Sequence, residues 1–193
     1  MFRHKLIGKL LGLGAAALVV LATAMPAQAD PSHAVFAYSG SGSETKTLDI
    51  VTTSGLLTLT ALDFFLDGIA GSGWYDQTGF HDDTNSNYIA GICGSDDSCA
   101  GDNLDRHNYF VFGGTSLGGA TILSATLNLT NPSCPSCGYQ SANPTETYTL
   151  WDVATDLFAL VSSNVGAVGT YADLGSGVSL GSKVMSAADN GTL

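Results

Sequence analysis

The chain has 193 residues, and its 17 acidic residues outnumber its six lysines and arginines, which gives a net charge of −11 at pH 7. This charge makes nucleic acid and anionic membrane surfaces poor partners, because both are themselves negative. Charged residues make up only 12% of the sequence, so neutral Ser, Thr, Asn and Gly supply most of the polar surface. Such a composition suits extracellular β-proteins that meet ions or neutral sugars.

The N-terminal residues up to Ala29 have the order of a secretory signal peptide. Three basic residues precede an apolar run from Leu10 to Met25, and the small residues Ala27 and Ala29 follow the run. This order predicts export, with cleavage after Ala29. The alternative is an uncleaved membrane anchor, which a short run diluted by glycines and alanines disfavours. The expected location is the periplasm, the cell surface or the extracellular space.

Cleavage would leave 164 residues, one ordinary domain, with three cations against 17 acidic residues and a net charge of −14. No second apolar stretch of the sequence has the length of a bilayer span, so we expect no membrane span after cleavage. Residues 30–47 are rich in Ser, Gly and Thr, which predicts a flexible N-terminal lead or a weak first strand. Residues 48–193 form the predicted β domain.

Short β-favouring runs separated by turn-rich segments predict an all-β fold, an antiparallel sandwich or jelly roll with one short helix. The clearest alternation is TILSATLNLT, where Leu123, Ala125, Leu127 and Leu129 share one face. The predicted strands are, in chain order, the two β-favouring runs that Ser54-Gly55 separates within LDIVTTSGLLTLTALDFFL, then RHNYFVF, TILSATLNLT, ETYTLWDV and residues 178–185. The predicted helix lies in ATDLFALVSS, where apolar residues recur at helical spacing.

The stretch HDDTNSNY, from His81 to Tyr88, lies in a centre (residues 67–105) whose Gly, Asp and Asn content predicts long loops with short strand pieces. We expect its polar side chains, His81 included, to project at the rim of the fold. Asp83, Asn85 and Asn87 place oxygen-bearing side chains at alternate positions, as calcium loops do. A calcium site and a solvated polar loop are the two interpretations. The candidate calcium ligands are Asp82, Asp83, Asn85, Asn87, Asp96 and Asp97.

The four cysteines form two close pairs, Cys93 with Cys99 and Cys134 with Cys137. In an exported chain this predicts two local disulfides, although four cysteines allow three pairings. The CPSC spacing also fits a redox site or half a zinc site. Both are disfavoured, because no helix follows to lower a thiol pKa and the other pair has a different spacing.

Trp74 and Tyr75, which lie among glycines, predict an exposed aromatic platform that stacks on sugar rings. Catalysis is a weaker interpretation, since acidic loops are common and the sequence does not fix a carboxylate separation. The stretch GTSLG matches a nucleophile elbow with Ser116 at its centre. A β-pattern follows it instead of a helix, and His33, His81 and His107 all precede Ser116, so we interpret it as a glycine turn between strands.

Six phrases occur in a fixed order between Gly73 and Thr192: GWYDQTGFHDDTNSNYIAG, HNYFVF, ILSATLNLTNPS, PTETYTLWDV, DLGSG and VMSAADNGT. On these phrases the chain resembles exported bacterial proteins that carry a PEP-CTERM sorting signal, the type that an exosortase attaches to the envelope. The resemblance implies a Gram-negative, surface-associated or secreted β-sandwich of unassigned biochemical role. It brings no catalytic residues.

Members of that group continue past AADNGT into further strands and end in Pro-Glu-Pro, an apolar helix and a basic tail, whereas this sequence ends at Leu193. Either C-terminal strands are missing from this chain, or the chain is a variant that is released instead of anchored. The sequence therefore predicts a non-catalytic, exported, acidic β-sandwich at the cell surface or in the extracellular polysaccharide matrix. The alternatives are a carbohydrate-binding module and, as a minority view, a secreted polysaccharide hydrolase.

Overall fold

The computed structural model describes residues 17–24, 34–36, 45–62, 69–85, 87–92, 102–114, 117, 119–133, 138–141, 143–162 and 166–191. The strands are β1 (Ala17–Ala24), β2 (Ala34–Phe36), β3 (Lys46–Thr52), β4 (Gly55–Thr60), β5 (Ser72–Asp76), β6 (Ala90–Ile92), β7 (Asp105–Gly114), β8 (Ile122–Leu129), β9 (Gln140–Ser141), β10 (Glu146–Asp152) and β11 (Ser179–Met185). The helices are α1 (Leu157–Ser162), α2 (Val168–Leu174) and a 3₁₀ turn (Ala187–Asp189).

The strands form two antiparallel sheets. The larger sheet has eight strands in the order β11-β10-β1-β7-β6-β2-β9, with β5 also paired to β7. The smaller sheet has three strands in the order β4-β3-β8. The all-β prediction is therefore confirmed, while the sandwich or jelly-roll arrangement stays a prediction.

The two β-favouring runs on either side of Ser54-Gly55 form the β3–β4 hairpin. Gly55 has a φ of 128°, a conformation that favours glycine. The Thr52 hydroxyl donates to the Gly55 carbonyl at 3.0 Å and accepts from the Ser54 amide at 3.0 Å. A hydroxyl that bonds its own turn in this way stabilises the reversal between two strands.

One apolar cluster draws side chains from both sheets. The smaller sheet contributes Leu48, Ile50, Leu59 and Leu127, and the larger sheet contributes Phe110, Phe112, Tyr148, Leu150 and Met185. On the other face of β7, Tyr109 and Val111 join Tyr75 and the helical residues Leu160, Val161 and Leu174 in a second cluster. Strand β7 thus supplies alternate residues to two apolar clusters, which is the period-two pattern of a strand covered on both faces.

Most of the predicted elements are present. The structure has strands in both runs of LDIVTTSGLLTLTALDFFL and in RHNYFVF, TILSATLNLT, ETYTLWDV and residues 178–185, and α1 lies in the predicted helical stretch. Residues 63–66, the end of the second run, lie outside the described residues. In the segment predicted as a flexible lead, residues 34–36 form β2, and β3 begins at Lys46, which is buried. Leu123, predicted on the inner face of β8, is 49% exposed, because it lies near the strand start, where the β3 register shifts.

Helix α2 was not predicted. Its sequence VGTYADL contains Gly, Thr and Tyr, which have low helix propensity. Packing explains the helix instead, since Leu174 is completely buried and joins the second apolar cluster. Amphipathic packing of this kind outweighs propensity in short helices.

Strand β1 lies within the predicted signal peptide. It pairs antiparallel with β7 on one side and with β10 on the other, so it occupies an interior position of the larger sheet. Among the described residues no helix is both long and apolar enough to cross a membrane.

We predict that Ile50→Ala lowers the free energy of unfolding by about 2–5 kcal/mol, because it leaves a cavity in the core that both sheets share. Ile50 is 1% exposed, whereas the next residue, Val51, points the other way and is 40% exposed. Urea denaturation followed by circular dichroism measures both variants. The matched control Val51→Ala should cost less than about 1 kcal/mol, and equal costs at the two positions would contradict the assignment of faces.

Candidate functional site

The β5–β7 ladder carries the largest concentration of buried polar side chains in the described part of the chain. Trp74 lies opposite Asn108 and Asp76 opposite Arg106, while Tyr75 lies opposite His107. Because directly opposite residues share a face, one face of the ladder carries Trp74, Asp76, Arg106 and Asn108 and the other carries Tyr75, His107 and Tyr109. The aromatic and titratable groups of this ladder define the candidate site.

Arg106 is buried at 1% exposure and is fixed by a bidentate ion pair. Its Nη1 and Nη2 donate to Asp102 Oδ1 and Oδ2 at 3.0 and 2.6 Å, and Nη1 also donates to the Leu104 carbonyl at 2.9 Å. The guanidinium carbon lies 4.6 Å from the centre of the Trp74 ring. Burial alone raises the pKa of Asp102, but the hydrogen bonds and charge of Arg106 outweigh it and hold that pKa below its usual value.

Asp76 ends β5 and shapes the turn that follows. Its Oδ1 accepts hydrogen bonds from the Thr78 amide at 2.8 Å, the Thr78 hydroxyl at 2.6 Å and the Phe80 amide at 3.1 Å. The glycine in this turn, Gly79, has a φ of 79°. Asp76 is therefore used for turn formation, which is a frequent role of aspartate.

His81 is buried at 1% exposure between the aromatic rings of the second face. Its ring stacks on Tyr75 with centroids 4.5 Å apart. Nδ1 lies 2.9 Å from the Trp74 carbonyl, so it must carry the proton, and Nε2 then accepts from the Tyr109 hydroxyl at 3.2 Å. Burial is the largest influence on the pKa of His81 and lowers it, against the raising effect of the backbone hydrogen bonds of Trp74 and Val161 and of the charges of Asp83 and Asp82, so the neutral ring is favoured.

His107 attaches helix α2 to the sheet. Its ring stacks almost parallel on Tyr171 with centroids 4.1 Å apart, and Nδ1 donates to the Tyr171 carbonyl at 2.8 Å. The Tyr171 hydroxyl donates to Asp105 Oδ2 at 2.8 Å, and His107 Nε2 lies 3.7 Å from the same oxygen. Burial lowers the pKa of His107. A side chain at Gly175 would clash with the His107 ring, so glycine is required where α2 ends.

Three buried nitrogens on the first face have no hydrogen-bond partner: Trp74 Nε1, Arg106 Nε and Asn108 Nδ2. The Asn108 oxygen, by contrast, accepts from the Tyr148 hydroxyl at 3.2 Å. All three free groups are donors. This face of the ladder therefore keeps donor capacity, whereas Asn108 Oδ1 and Asp76 Oδ1 already accept hydrogen bonds.

Trp74 and Tyr75 are not exposed, so the predicted open platform for sugar rings is wrong. Trp74 is 8% exposed and Tyr75 is 0% exposed. The glycine before them, which suggested a loop, is a packing position, because a side chain at Gly73 would press on the rings of Tyr109 and His81. Tyr75 belongs to the second apolar cluster, and the Arg106 guanidinium lies over the Trp74 ring.

The expectation that His81 projects at the rim with its neighbours is also wrong. His81 and Tyr88, the two ends of the stretch HDDTNSNY, are buried at 1% and 0% exposure. Between them Asp82, Asp83, Asn85 and Asn87 are half-buried and Thr84 is exposed. The loop is thus fixed at both ends by aromatic packing and only its middle meets solvent.

Two of the candidate calcium ligands accept local hydrogen bonds. Asp82 Oδ1 accepts from the Thr84 amide at 3.0 Å and hydroxyl at 2.7 Å, and Asn85 Oδ1 accepts from the Asn87 amide at 2.9 Å. The Thr84 hydroxyl is the main reason that the pKa of Asp82 is lowered. Within the described ranges no three His, Cys, Asp or Glu residues are grouped to hold a metal.

Several sequence predictions lie outside the described residues. They are Asp96 and Asp97 of the calcium set, Ser116, and the cysteines Cys93, Cys99, Cys134 and Cys137. Calcium binding and the disulfide pairing therefore stay predictions.

Comparisons of the chain with protein-family models, with curated proteins and with solved structures found no match. The PEP-CTERM resemblance likewise stays a prediction.

Sequence reasoning missed Tyr171 as a member of this site. It lies in GTYADLGSG, where the sequence predicted neither a strand nor a helix. The signal that pointed to it was weak: a lone tyrosine three residues before a leucine, within a segment of low helix propensity. Arg106 and His107 were visible as polar residues in an apolar strand, a pattern that marks a buried polar cluster.

We predict that Trp74→Ala lowers the free energy of unfolding by about 3–5 kcal/mol, because it removes a buried ring that Arg106 covers. The control is Phe80→Ala, whose ring lies 6.1 Å from Trp74 but is 45% exposed. That control should cost less than about 1 kcal/mol. Urea denaturation compares the two, and a Trp74→Ala variant as stable as the Phe80 variant would contradict the burial of Trp74.

We also predict that stability falls as the pH drops from 7.5 to 5.5. Burial lowers the folded-state pKa of His81 and His107, so below about pH 6.5 the unfolded chain binds more protons than the folded chain. Each histidine adds a slope of at most about 1.4 kcal/mol per pH unit. Urea midpoints at constant ionic strength measure the slope, and His107→Asn should reduce it. A stability that is constant or rises on acidification would refute the neutral rings.

Proposed function

We propose that the protein is a non-catalytic, exported β-protein that works at the cell surface or in the extracellular matrix by contacting neutral polysaccharide. The observation that carries the proposal is the outward face of the three-stranded sheet. The residues of this face are exposed or half-buried, and most of them carry neutral hydroxyl or amide side chains. Location outside the cytoplasm rests on the predicted signal peptide.

The strand register arranges this outward face in three rows of three residues. Opposite residues share a face, so the pairing of β3 with β4 and β8 sets the rows. The rows are Thr60–Thr47–Asn128, Thr58–Asp49–Thr126 and Leu56–Val51–Ser124. Neighbouring positions in such an array are about 4.8 Å apart across the strands and about 6.8 Å apart along them. We call this array the threonine face.

Hydrogen bonds within the threonine face fix its central side chains. Thr58 Oγ1 donates to Asp49 Oδ1 at 2.5 Å, and Asn128 Nδ2 donates to Asp49 Oδ2 at 3.0 Å. Asn128 Nδ2 also lies 3.3 Å from the Thr47 hydroxyl. Fixed side chains lose little rotamer entropy when a ligand binds. This preorganisation supports binding by a face without large aromatic rings.

Charge favours a neutral polymer over an anionic one. The threonine face contains one charged residue, Asp49, and the chain as a whole has a net charge of −11. An acidic polysaccharide would be repelled at long range. Sugar hydroxyls both donate and accept, as threonine and asparagine do. At one end of the face Val51 and Leu56 are 40% and 69% exposed and supply an apolar contact for a sugar ring.

The non-catalytic part of the proposal is supported by how the titratable groups are used. Both ring nitrogens of His81 are engaged by neighbouring groups, and His107 is held by Tyr171. Glycoside hydrolysis in most enzymes needs a pair of carboxyl groups across the scissile bond. Asp49 is the one carboxylate among the nine residues of the threonine face. A secreted hydrolase remains the minority alternative.

We predict that the chain binds an insoluble neutral glucan and that the double variant Thr58→Val, Thr126→Val binds about tenfold more weakly. Valine keeps the size and β propensity of threonine but removes two hydroxyls, each worth about 0.5–1.5 kcal/mol in hydrogen bonding. Binding isotherms from glucan sedimentation measure the change.

The control is Thr147→Val, because Thr147 is exposed on β10, away from the threonine face. It should bind like the unaltered chain, and circular dichroism should show that all variants fold. Equal binding by the double variant, or no retention on any neutral glucan, would refute the use of this face. Turnover of the glucan would refute the non-catalytic assignment.

A further inference from the structure

Strand β1 fills an interior position that the processed protein would lose. Residues 17–23 pair antiparallel with residues 108–114 of β7, and residues 21–24 pair antiparallel with residues 149–152 of β10. The same residues belong to the apolar run of the predicted signal peptide. Cleavage after Ala29 would therefore remove the strand that joins β10 and β11 to the rest of the larger sheet.

Direct pairing of β7 with β10 would not close the gap easily. Both strands are antiparallel to β1, so they are parallel to each other, and they lie about 9.6 Å apart, which is two strand spacings. Closure would shift β10 and β11 sideways by about one spacing. Tyr148 opposes such a shift, because its ring is buried at 2% exposure and its hydroxyl donates to Asn108 of β7 at 3.2 Å.

An open gap would also be unfavourable. With β1 in place, residues 108–112 of β7 are completely buried, and removing β1 would leave the backbone groups along that edge without their ladder partners. A buried amide or carbonyl without a partner costs about 1–3 kcal/mol. A strand that bonds to both β7 and β10 would restore these partners.

We propose that, once the signal peptide is removed, the gap between β7 and β10 accepts an extended strand donated by another polypeptide. The segment seated there shows the chemistry that fits: eight apolar and small residues, ALVVLATA, running antiparallel to both neighbours. Strand addition of this kind takes its affinity from main-chain hydrogen bonds and its specificity from alternate side chains. The expected donor is an uncharged run of Ala, Val, Leu and Thr.

A second copy of the processed chain is a poorer donor. It would have lost its own residues 17–24 by the same cleavage. Its remaining described strands are already paired within its own two sheets, and the shortest of them, β2 and β9, have three and two residues. The donor is therefore a different polypeptide that carries a free apolar strand.

The test uses the full chain, expressed in a bacterial host that removes signal peptides, with intact mass to identify the new N-terminus. A synthetic peptide of residues 17–24 with added lysines for solubility is the probe, and the same peptide with Val20→Pro is the control. Proline lacks the N–H that the ladder needs. We expect the probe to raise the melting temperature of the processed chain by about 5 °C or more at saturation, and the control to leave it unchanged.

If the processed chain is unfolded alone, refolding with the probe but not with the control supports the proposal. Three results would overturn it: a chain that keeps residues 1–29 in the envelope, a processed chain whose melting or refolding responds equally to both peptides or to neither, and a stable homodimer that the probe does not dissociate. Glucan binding by the threonine face uses the other sheet and is measured separately.

Discussion

The structure depends on one strand, β7, which is covered on both faces and along both edges. Strand β1 pairs along one edge, and β5 followed by Gly71 and Leu62 pairs along the other. Phe110 and Phe112 enter the cluster shared with the smaller sheet, while Tyr109 and Val111 enter the cluster shared with the helices. Because a buried backbone must satisfy its hydrogen bonds internally, the position of β7 fixes the positions of its neighbours.

The N-terminal half of β7 uses the same burial for polar groups. Arg106 and His107 point to opposite faces and are held by Asp102 and Tyr171. Of the three cations outside the predicted signal peptide, Lys46 and Arg106 are buried at 4% and 1% exposure. Two acidic residues, Asp76 and Asp105, are also buried, at 3% and 7% exposure, so the surface keeps the strongly acidic balance of the composition. Such a surface favours neutral ligands over anionic ones.

The sequence predicted the strands with clean alternation and missed elements whose packing depends on distant residues. The strands β3, β4, β7, β8 and β10 follow from period two and from the Ser54-Gly55 turn. Helix α2 did not follow, because its burial against β7 outweighs a poor helix propensity. Trp74 was predicted as exposed because Gly73 suggests a loop, whereas the glycine is there to admit the rings of Tyr109 and His81. Close packing of this kind leaves no periodic signal in the sequence.

The threonine face and the position of β1 in the larger sheet both depend on which strands pair and in which register. Alternation in the sequence places Thr58 and Thr60 on one side of β4, but only the pairing of β3 with β4 and β8 places Thr58, Asp49 and Thr126 in one row. The apolar N-terminal run predicted export. Because this run forms β1 in the structure, cleavage of the signal peptide would remove the strand between β7 and β10. The two proposals therefore draw on different sheets.

Amide hydrogen exchange of the full chain, followed residue by residue, tests the central role of β7 most directly. Residues 106–112 should exchange slowest of all, only when the whole protein unfolds, because both edges and both faces of the strand are covered. Strand β4 is an edge strand paired with β3 alone and should exchange faster. Exchange of β7 at the rate of β4 or faster would contradict the account.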